Sequence, residues 1–171
     1  MGGLDKGLQA LAGRPLVAHV LERLAPQVGS LLISANRHLD QYAAFGVPVL
    51  TDEEADFKGP LAGLLAGLSA CETEWLVCAP CDAPRLPLDL VACLLAECDA
   101  AQIVLPRSAD GRLQPLYALM HRSVHDSLAT AIAAGQRRVT DWMLGREHRV
   151  VDLVGDFGNI NSLAELQALH A

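Results

Sequence analysis

Short apolar runs and helical stripes alternate along this chain. Leu16, Val17, Val20, Leu21 and Leu24 recur at helical spacing behind Gly13-Arg-Pro15, where Pro15 suits a first helical turn, and Pro26 and Gly29 end the element. Leu31-Leu-Ile33 is a buried run that stops at the polar Ser34-Ala-Asn-Arg37. A short helix over residues 39–45 leads to a strand at Val47-Pro-Val-Leu50, and Gly59-Pro-Leu-Ala-Gly63 opens a small-residue helix reaching about Cys71. Residues 75–79 are apolar throughout, as in a strand buried on both faces. Beyond them the pattern predicts a helix over 88–98, a strand over 101–105, and a turn at Asp110-Gly111. A strand over 114–120 follows, antiparallel because its connection is so short. A helix over 123–134 stops at Gly135, and a shorter one runs from Arg137-Arg138 through Trp142. The chain ends in a strand over 149–154 and a helix from Ser162, whose Ser-Leu-Ala-Glu is a capping-box pattern.

Strand–helix alternation of this kind implies an α/β fold with parallel strands and right-handed crossovers. In such sheets ligands gather beyond the carboxyl ends of the strands, so the residues found there matter most. Asp82 follows the run at 75–79, Asp52 follows the strand at 47–50, and Ser34 and Asn36 follow Leu31-Leu-Ile33. A carboxylate on a rigid strand end, open to a ligand, suits a hard cation that shares substrate phosphates. The amino-terminal Gly2, Gly3 and Lys6 add backbone that can approach a phosphate and a cation to meet its charge. Arg137-Arg138 reads as exposed charge or as a contact for an incoming phosphate, and the alternate Asn159 and Asn161 share one side of an extended segment.

Composition narrows the setting. The 171 residues form one domain over 1–171 with no repeat or linker, and a core of Leu, Val and Ala, because only 4% are aromatic. A net charge of −7 argues against an extended nucleic-acid or anionic-membrane surface, and no apolar run is long enough to cross a bilayer. Five cysteines make no disulfide framework, which points to a reducing cytoplasm.

Cys78-Ala-Pro-Cys81 is a rival motif. Thioredoxin-like chemistry needs its first cysteine at a helix N-terminus, and Pro84 and Pro87 oppose a helix there. Zinc would have to recruit Cys71, Cys93 or Cys98, whose irregular spacing fits core filling better. Gly-x-Ser-x-Gly, His-Glu-x-x-His and a full Walker loop are all absent from the sequence. What remains describes a nucleotide site with a metal at its centre.

In order along the chain come Met1-Gly-Gly-Leu-Asp-Lys-Gly7, Gly13-Arg-Pro-Leu16, Ser34-Ala-Asn-Arg37, Asp52, Gly59-Pro-Leu-Ala-Gly63, Pro80-Cys-Asp-Ala-Pro84, Gln114-Pro-Leu-Tyr-Ala-Leu119, Arg137-Arg-Val139 and Asn159-Ile-Asn161. Together they resemble the molybdenum cofactor guanylyltransferase (MobA) family over the whole chain. The resemblance implies a Rossmann-like, three-layer nucleotidyltransferase fold, mostly parallel with one antiparallel strand. It also implies Mg²⁺-dependent transfer of GMP from GTP to molybdopterin or Mo-molybdopterin. By position, Asp82 would hold Mg²⁺ and Lys6 the GTP phosphates, these two being the catalytic pair. Gly2, Gly3, Ser34, Asn36 and Asp52 would join them around the nucleotide, and Arg138, Asn159 and Asn161 would meet the pterin. Molybdoenzymes or other cofactor-biosynthesis proteins are the protein partners the resemblance suggests.

Ser34 stands where the family often has Asn, which alters one nucleotide contact. Family members also begin with a strand and Leu-Ala-Gly-Gly-x-x-x-Arg-Met-Gly-Gly, whereas this sequence begins at the Met-Gly-Gly. The expectation is therefore a fold lacking its N-terminal strand and most of the glycine loop, in an incomplete sequence. A pterin cytidylyltransferase or sugar-phosphate nucleotidyltransferase remains an alternative, since base preference is not legible here. A non-catalytic module that delivers cofactor is a third.

Overall fold

The computed structural model describes residues 5–51 and 59–158. A small hairpin comes first, β1 (Ala10–Leu11) antiparallel to β2 (Arg14–Pro15), with Ala12 and Gly13 at its tip, both at positive φ. The pattern of apolar positions had no place for it, because each arm has only two residues. Helix α1 (Leu16–Leu24) follows, burying Leu16, Val17, Val20 and Leu24 as the spacing predicted. Its first N–H groups are satisfied from the preceding loop: Leu16 donates to the Gln9 carbonyl at 2.8 Å and Val17 to the Gly7 carbonyl at 2.9 Å. The loop carrying Lys6 is thereby fastened to the head of α1.

Strand β3 (Ile33–Ser34), helix α2 (Leu39–Ala43) and strand β4 (Val49–Leu50) form the next unit, with β3 and β4 parallel. Helix α3 (Pro60–Ala70) then crosses to β5 (Trp75–Val77). The two glycines of α3 mark close packing. A Cβ on Gly63 would lie 3.0 Å from Ser34 Oγ, and one on Gly67 would lie 3.2 Å from Leu76 Cδ2.

Helix α4 (Leu90–Leu95), β6 (Ile103–Arg107), β7 (Leu119–His121), α5 (His125–Ala133), α6 (Val139–Leu144) and β8 (His148–Asp152) complete the described elements. One four-stranded sheet runs β5-β7-β6-β8. There β7 is antiparallel to both β5 and β6, while β6 and β8 are parallel. The reversal is where the short link through Asp110-Gly111 required it. Residues 115–117, expected as strand, instead form a 3₁₀ turn, because Pro115 has no N–H to give a ladder.

Alternation along the strands divides the interior in two. Ile103, Leu105 and Met120 face Leu61, Leu64 and Leu68 of α3, Leu128 and Ile132 of α5, and Trp142 and Met143 of α6. Val104 and Leu119 point the other way, onto Leu24 of α1 and Leu90, Val91 and Leu94 of α4. Helices thus cover both faces of a mixed sheet, the expected three-layer α/β arrangement. No described helix is long and apolar enough to cross a membrane.

One expectation needs correction. Residues 75–79 were to be buried on both faces, yet Trp75, Leu76 and Val77 are only half-buried. The physical reason lies beside them. Among the described residues, no strand joins β3 to β5, and a cavity of about 650 Å³ separates them.

Candidate active site

Beyond β5 the chain turns through Pro80-Cys-Asp82, and Asp82 is carried inward to 7% exposure, the buried charged residue of the described chain. Its Oδ2 lies 3.4 Å from the Lys6 Nζ, and the lysine side chain is 38% exposed. A cation that faces solvent is thus held against a carboxylate that does not. The separation in sequence is bridged by the loop fastened to α1.

The loop is fixed by further contacts. Tyr42 of α2, only 3% exposed, donates from its hydroxyl to Asp5 Oδ1 at 2.6 Å. Burial first, and then the bond to Asp5, push that phenol well above its ordinary range, so it stays a donor. Gln9 Nε2 donates to the Asp5 carbonyl at 3.1 Å. Gly7 lies where no side chain fits: a Cβ there would come within 2.6 Å of the Tyr42 Oη and 3.0 Å of the Cys81 Sγ. Elements following β3 and β5 therefore converge on residues 5–7.

The other rim is built by the far end of the described chain. Tyr117 donates to the Phe157 carbonyl at 3.2 Å and meets the Phe157 ring edge-on at 5.0 Å. Burial, then the charges of Asp82 and Asp156, raise the Tyr117 phenol, which places it in the same electrostatic environment as Asp82. Arg85 and Asp156 pair at 2.6 Å, so the segment ending at Gly158 is clasped to the turn after Asp82.

Of the residues singled out from the sequence, Lys6 and Asp82 come together. Ser34 lies exposed at the end of β3 against α3, and Asn36 is exposed just beyond it. Arg138 is exposed at the start of α6, with its carbonyl accepting from Gln136 Nε2 at 2.9 Å, and no described contact joins it to Lys6 or Asp82. Gly2, Gly3, Asp52, Asn159, Asn161 and the helix from Ser162 lie outside the described residues. Sequence reasoning missed Asp5, Tyr42, Tyr117, Arg85 and Asp156. Asp5 had a signal in its position beside Lys6; the tyrosines had none.

The cysteine alternatives find no support in this geometry. Burial pushes the Cys78 thiol up to about 12, and its Sγ donates to the Ala118 carbonyl at 3.4 Å. That is the opposite of the stabilised thiolate a redox motif needs. All five cysteines are free thiols, and no three His, Cys, Asp or Glu side chains among the described residues group as metal ligands. Native chain treated with iodoacetamide at pH 8 should leave Cys78 unmodified. A pKa near 12 leaves on the order of one thiolate in 10⁴ at that pH, and alkylation should rise only as the pH approaches 12. Peptide mapping after a timed reaction reads this directly.

A divalent cation suits the donor set differently. Asp82 offers a hard carboxylate oxygen, itself buried just beyond β5, with its Oδ2 3.4 Å from Lys6 Nζ. One protein carboxylate with the balance from substrate phosphates and water is the arrangement such ions accept in nucleotide enzymes.

Comparison with known proteins bears on the family and the fold. The family described as "MobA-like NTP transferase domain" matches residues 1–150. A molybdenum cofactor guanylyltransferase of Cupriavidus taiwanensis is 49% identical over 181 aligned positions, covering 100% of this chain and 90% of that protein. One of Burkholderia orbicola is 48% identical, covering 99% and 88%. Among solved structures, molybdopterin-guanine dinucleotide biosynthesis protein A of Archaeoglobus fulgidus superposes with a TM-score of 0.75 at 22% identity, over 98% of this chain and 89% of that one. A 2-C-methyl-D-erythritol 4-phosphate cytidylyltransferase of Thermus thermophilus gives 0.74 at 15%, over 96% and 91%, a likeness of fold alone. With its full length aligned at nearly half identity, the chain belongs to the molybdenum cofactor guanylyltransferase family of MobA-like nucleotidyltransferases.

Proposed function

We infer that this protein transfers GMP from GTP to molybdopterin or Mo-molybdopterin and releases pyrophosphate. The observation that carries the reading is the Lys6–Asp82 pair at the carboxyl end of β5, in a chain of this family. A phosphate oxygen of the pterin attacks the α-phosphorus of GTP, the bond from that phosphorus to the bridging oxygen breaks, and pyrophosphate leaves with the electron pair. No protein nucleophile is needed, so the residues act by positioning and by charge.

Lys6 serves the GTP phosphates: its partly exposed ammonium can exchange Asp82 for a phosphate without leaving its loop. Asp82 is the residue to hold a divalent cation, proposed as Mg²⁺, which when bound supplies neutralisation of the charge developing on the transferred phosphate. Gly2, Gly3, Ser34, Asn36 and Asp52 are proposed around the nucleotide, and Arg138, Asn159 and Asn161 around the pterin. Arg138 would need the bound substrate to connect it to the Lys6–Asp82 pair.

Calorimetric titration with GTP, CTP and ATP, each with and without Mg²⁺, tests the reading. Mg²⁺-dependent binding of GTP alone is expected, and pyrophosphate should appear only when molybdopterin is added. Preference for CTP would move the protein to the cytidylyltransferases. GTP binding with no pyrophosphate release would leave a carrier rather than an enzyme.

A further inference from the structure

A second cluster of reactive side chains lies at the opposite end of β5 from Asp82. There Trp75, the first residue of β5, pairs with His121 of β7, and the Arg122 N–H donates to the Glu74 carbonyl at 2.8 Å. The chain then enters α5 at His125, beside Ser69 in the last turn of α3. Leu68, Val124 and Leu128, all buried, pack the two helices together. Ser69 Oγ lies 3.0 Å from His125 Nε2, and His125 Nδ1 lies 2.8 Å from Asp126 Oδ1. The three side chains line a cavity of about 330 Å³, together with Leu68, Cys71, Arg122 and Ser123.

The proton positions follow from the chemistry of the groups. A carboxylate only accepts, so the proton of the neutral imidazole sits on Nδ1, toward Asp126, and Nε2 turns a lone pair to Ser69. The serine hydroxyl has one proton and two acceptors, the Leu65 carbonyl at 2.9 Å and His125 Nε2 at 3.0 Å. Rotation about the Cβ–Oγ bond passes the proton from one to the other with no heavy atom moving. A serine that merely satisfied its helix would stop at Leu65. His125 is instead held at both ring nitrogens, and its side chain is 38% exposed, so a molecule from solvent can reach the pair.

We propose that Ser69, His125 and Asp126 form a second active site, which hydrolyses small, uncharged carboxylic esters. Such a constellation is defined by geometry and roles, so the absence of Gly-x-Ser-x-Gly from the sequence does not bear on it. Ser69 Oγ attacks the ester carbonyl carbon as its proton passes to His125 Nε2. The oxyanion faces Arg122, which is exposed on the same rim. The carbon–oxygen bond to the alcohol then breaks, and His125 gives the proton to the departing oxygen. Water, deprotonated by His125, frees the acyl group as a carboxylic acid and restores the Ser69 hydroxyl. The cavity is at the small end of ligand pockets, about 300–1,000 Å³, so it suits a short acyl chain against Leu68 and Cys71. The Asp126 side chain is 99% exposed and orients the imidazole less firmly than a buried carboxylate would, so turnover is slow.

A fluorophosphonate probe, which phosphonylates an activated serine, tests this on the unsubstituted chain, so the result depends neither on a variant folding nor on nucleotide binding. One label per chain is expected, mapped to Ser69 by peptide sequencing, with none on heat-denatured chain. p-Nitrophenyl acetate should be turned over with an initial burst of p-nitrophenol as the serine acylates. Ser69→Ala and His125→Gln should each lower the burst rate by at least about 10²-fold with an unchanged melting transition, and Asp126→Asn by about 3- to 10-fold. Absence of label from Ser69 in the folded chain overturns the proposal, as does label on Cys71 or elsewhere in its place. Equal turnover by the Ser69→Ala chain and the unsubstituted one overturns it too, since the ester would then be meeting other surface nucleophiles.

Discussion

Asp82→Asn is expected to lower GMP transfer at saturating GTP by at least about 10²-fold while leaving the fold in place. Asparagine keeps the size and shape of the side chain in its buried position but removes the charge, and with it the capacity to hold a divalent cation. The structural cost should be small because the partner, Lys6, is 38% exposed and water can serve the ammonium once the carboxylate is gone. Loss of rate with an unchanged melting transition is therefore the signature, and pyrophosphate release beside a thermal scan measures both. Replacing Mg²⁺ by Mn²⁺ should not rescue the variant, since both ions need the carboxylate. Near-normal turnover would remove Asp82 from the centre and return the pair with Lys6 to a merely structural role.

One pair of this site, Lys6 and Asp82, was legible in the sequence, for a definite reason. Asp82 ends a run of apolar residues, and a polar group just past a buried strand is visible in one dimension. The stripe of α1 and the small-residue face of α3 were visible in the same way, through periodicity. What stayed hidden rests on contacts between residues far apart. Tyr42 and Asp5 are 37 positions apart, and nothing in either neighbourhood announces their bond. Tyr117 was read as part of a strand, yet the proline two residues earlier turns it toward Phe157. The hairpin at residues 10–15 escaped because its turn is Ala12-Gly13, where asparagine before glycine is the usual signal for paired positive φ. The broken sheet is the clearest case. The apolar run at 75–79 predicted a strand buried on both faces; the strand is there, but at the edge of its sheet and half-buried beside the cavity, which no residue of the run announces.

Gly7→Ala should be the most damaging alanine substitution among the described glycines, and its partial repair should come from Tyr42. The new Cβ would meet the Tyr42 Oη at 2.6 Å and the Cys81 Sγ at 3.0 Å, so one of them must move. The Tyr42 ring is almost wholly buried and cannot swing away. The strain therefore falls on the loop, which shifts Lys6 from Asp82. Overpacking of this kind costs about 1–3 kcal/mol in stability. Activity should suffer more, by about 10²-fold, because a displacement of about 1 Å in a charged group at a reacting centre is enough. Tyr42→Phe keeps the ring and deletes only the hydroxyl. Alone it frees the Asp5 carboxylate that the hydroxyl now fixes, so it should raise the KM for GTP more than it lowers kcat. Placed on Gly7→Ala, it removes the nearest clash and should restore part of the melting temperature, leaving the contact with Cys81. A double-mutant cycle on stability and on kcat/KM would show coupling of about 0.5–3 kcal/mol if the two groups share this contact. Simple additivity would mean that Gly7 matters for its backbone and not for the space it leaves to Tyr42.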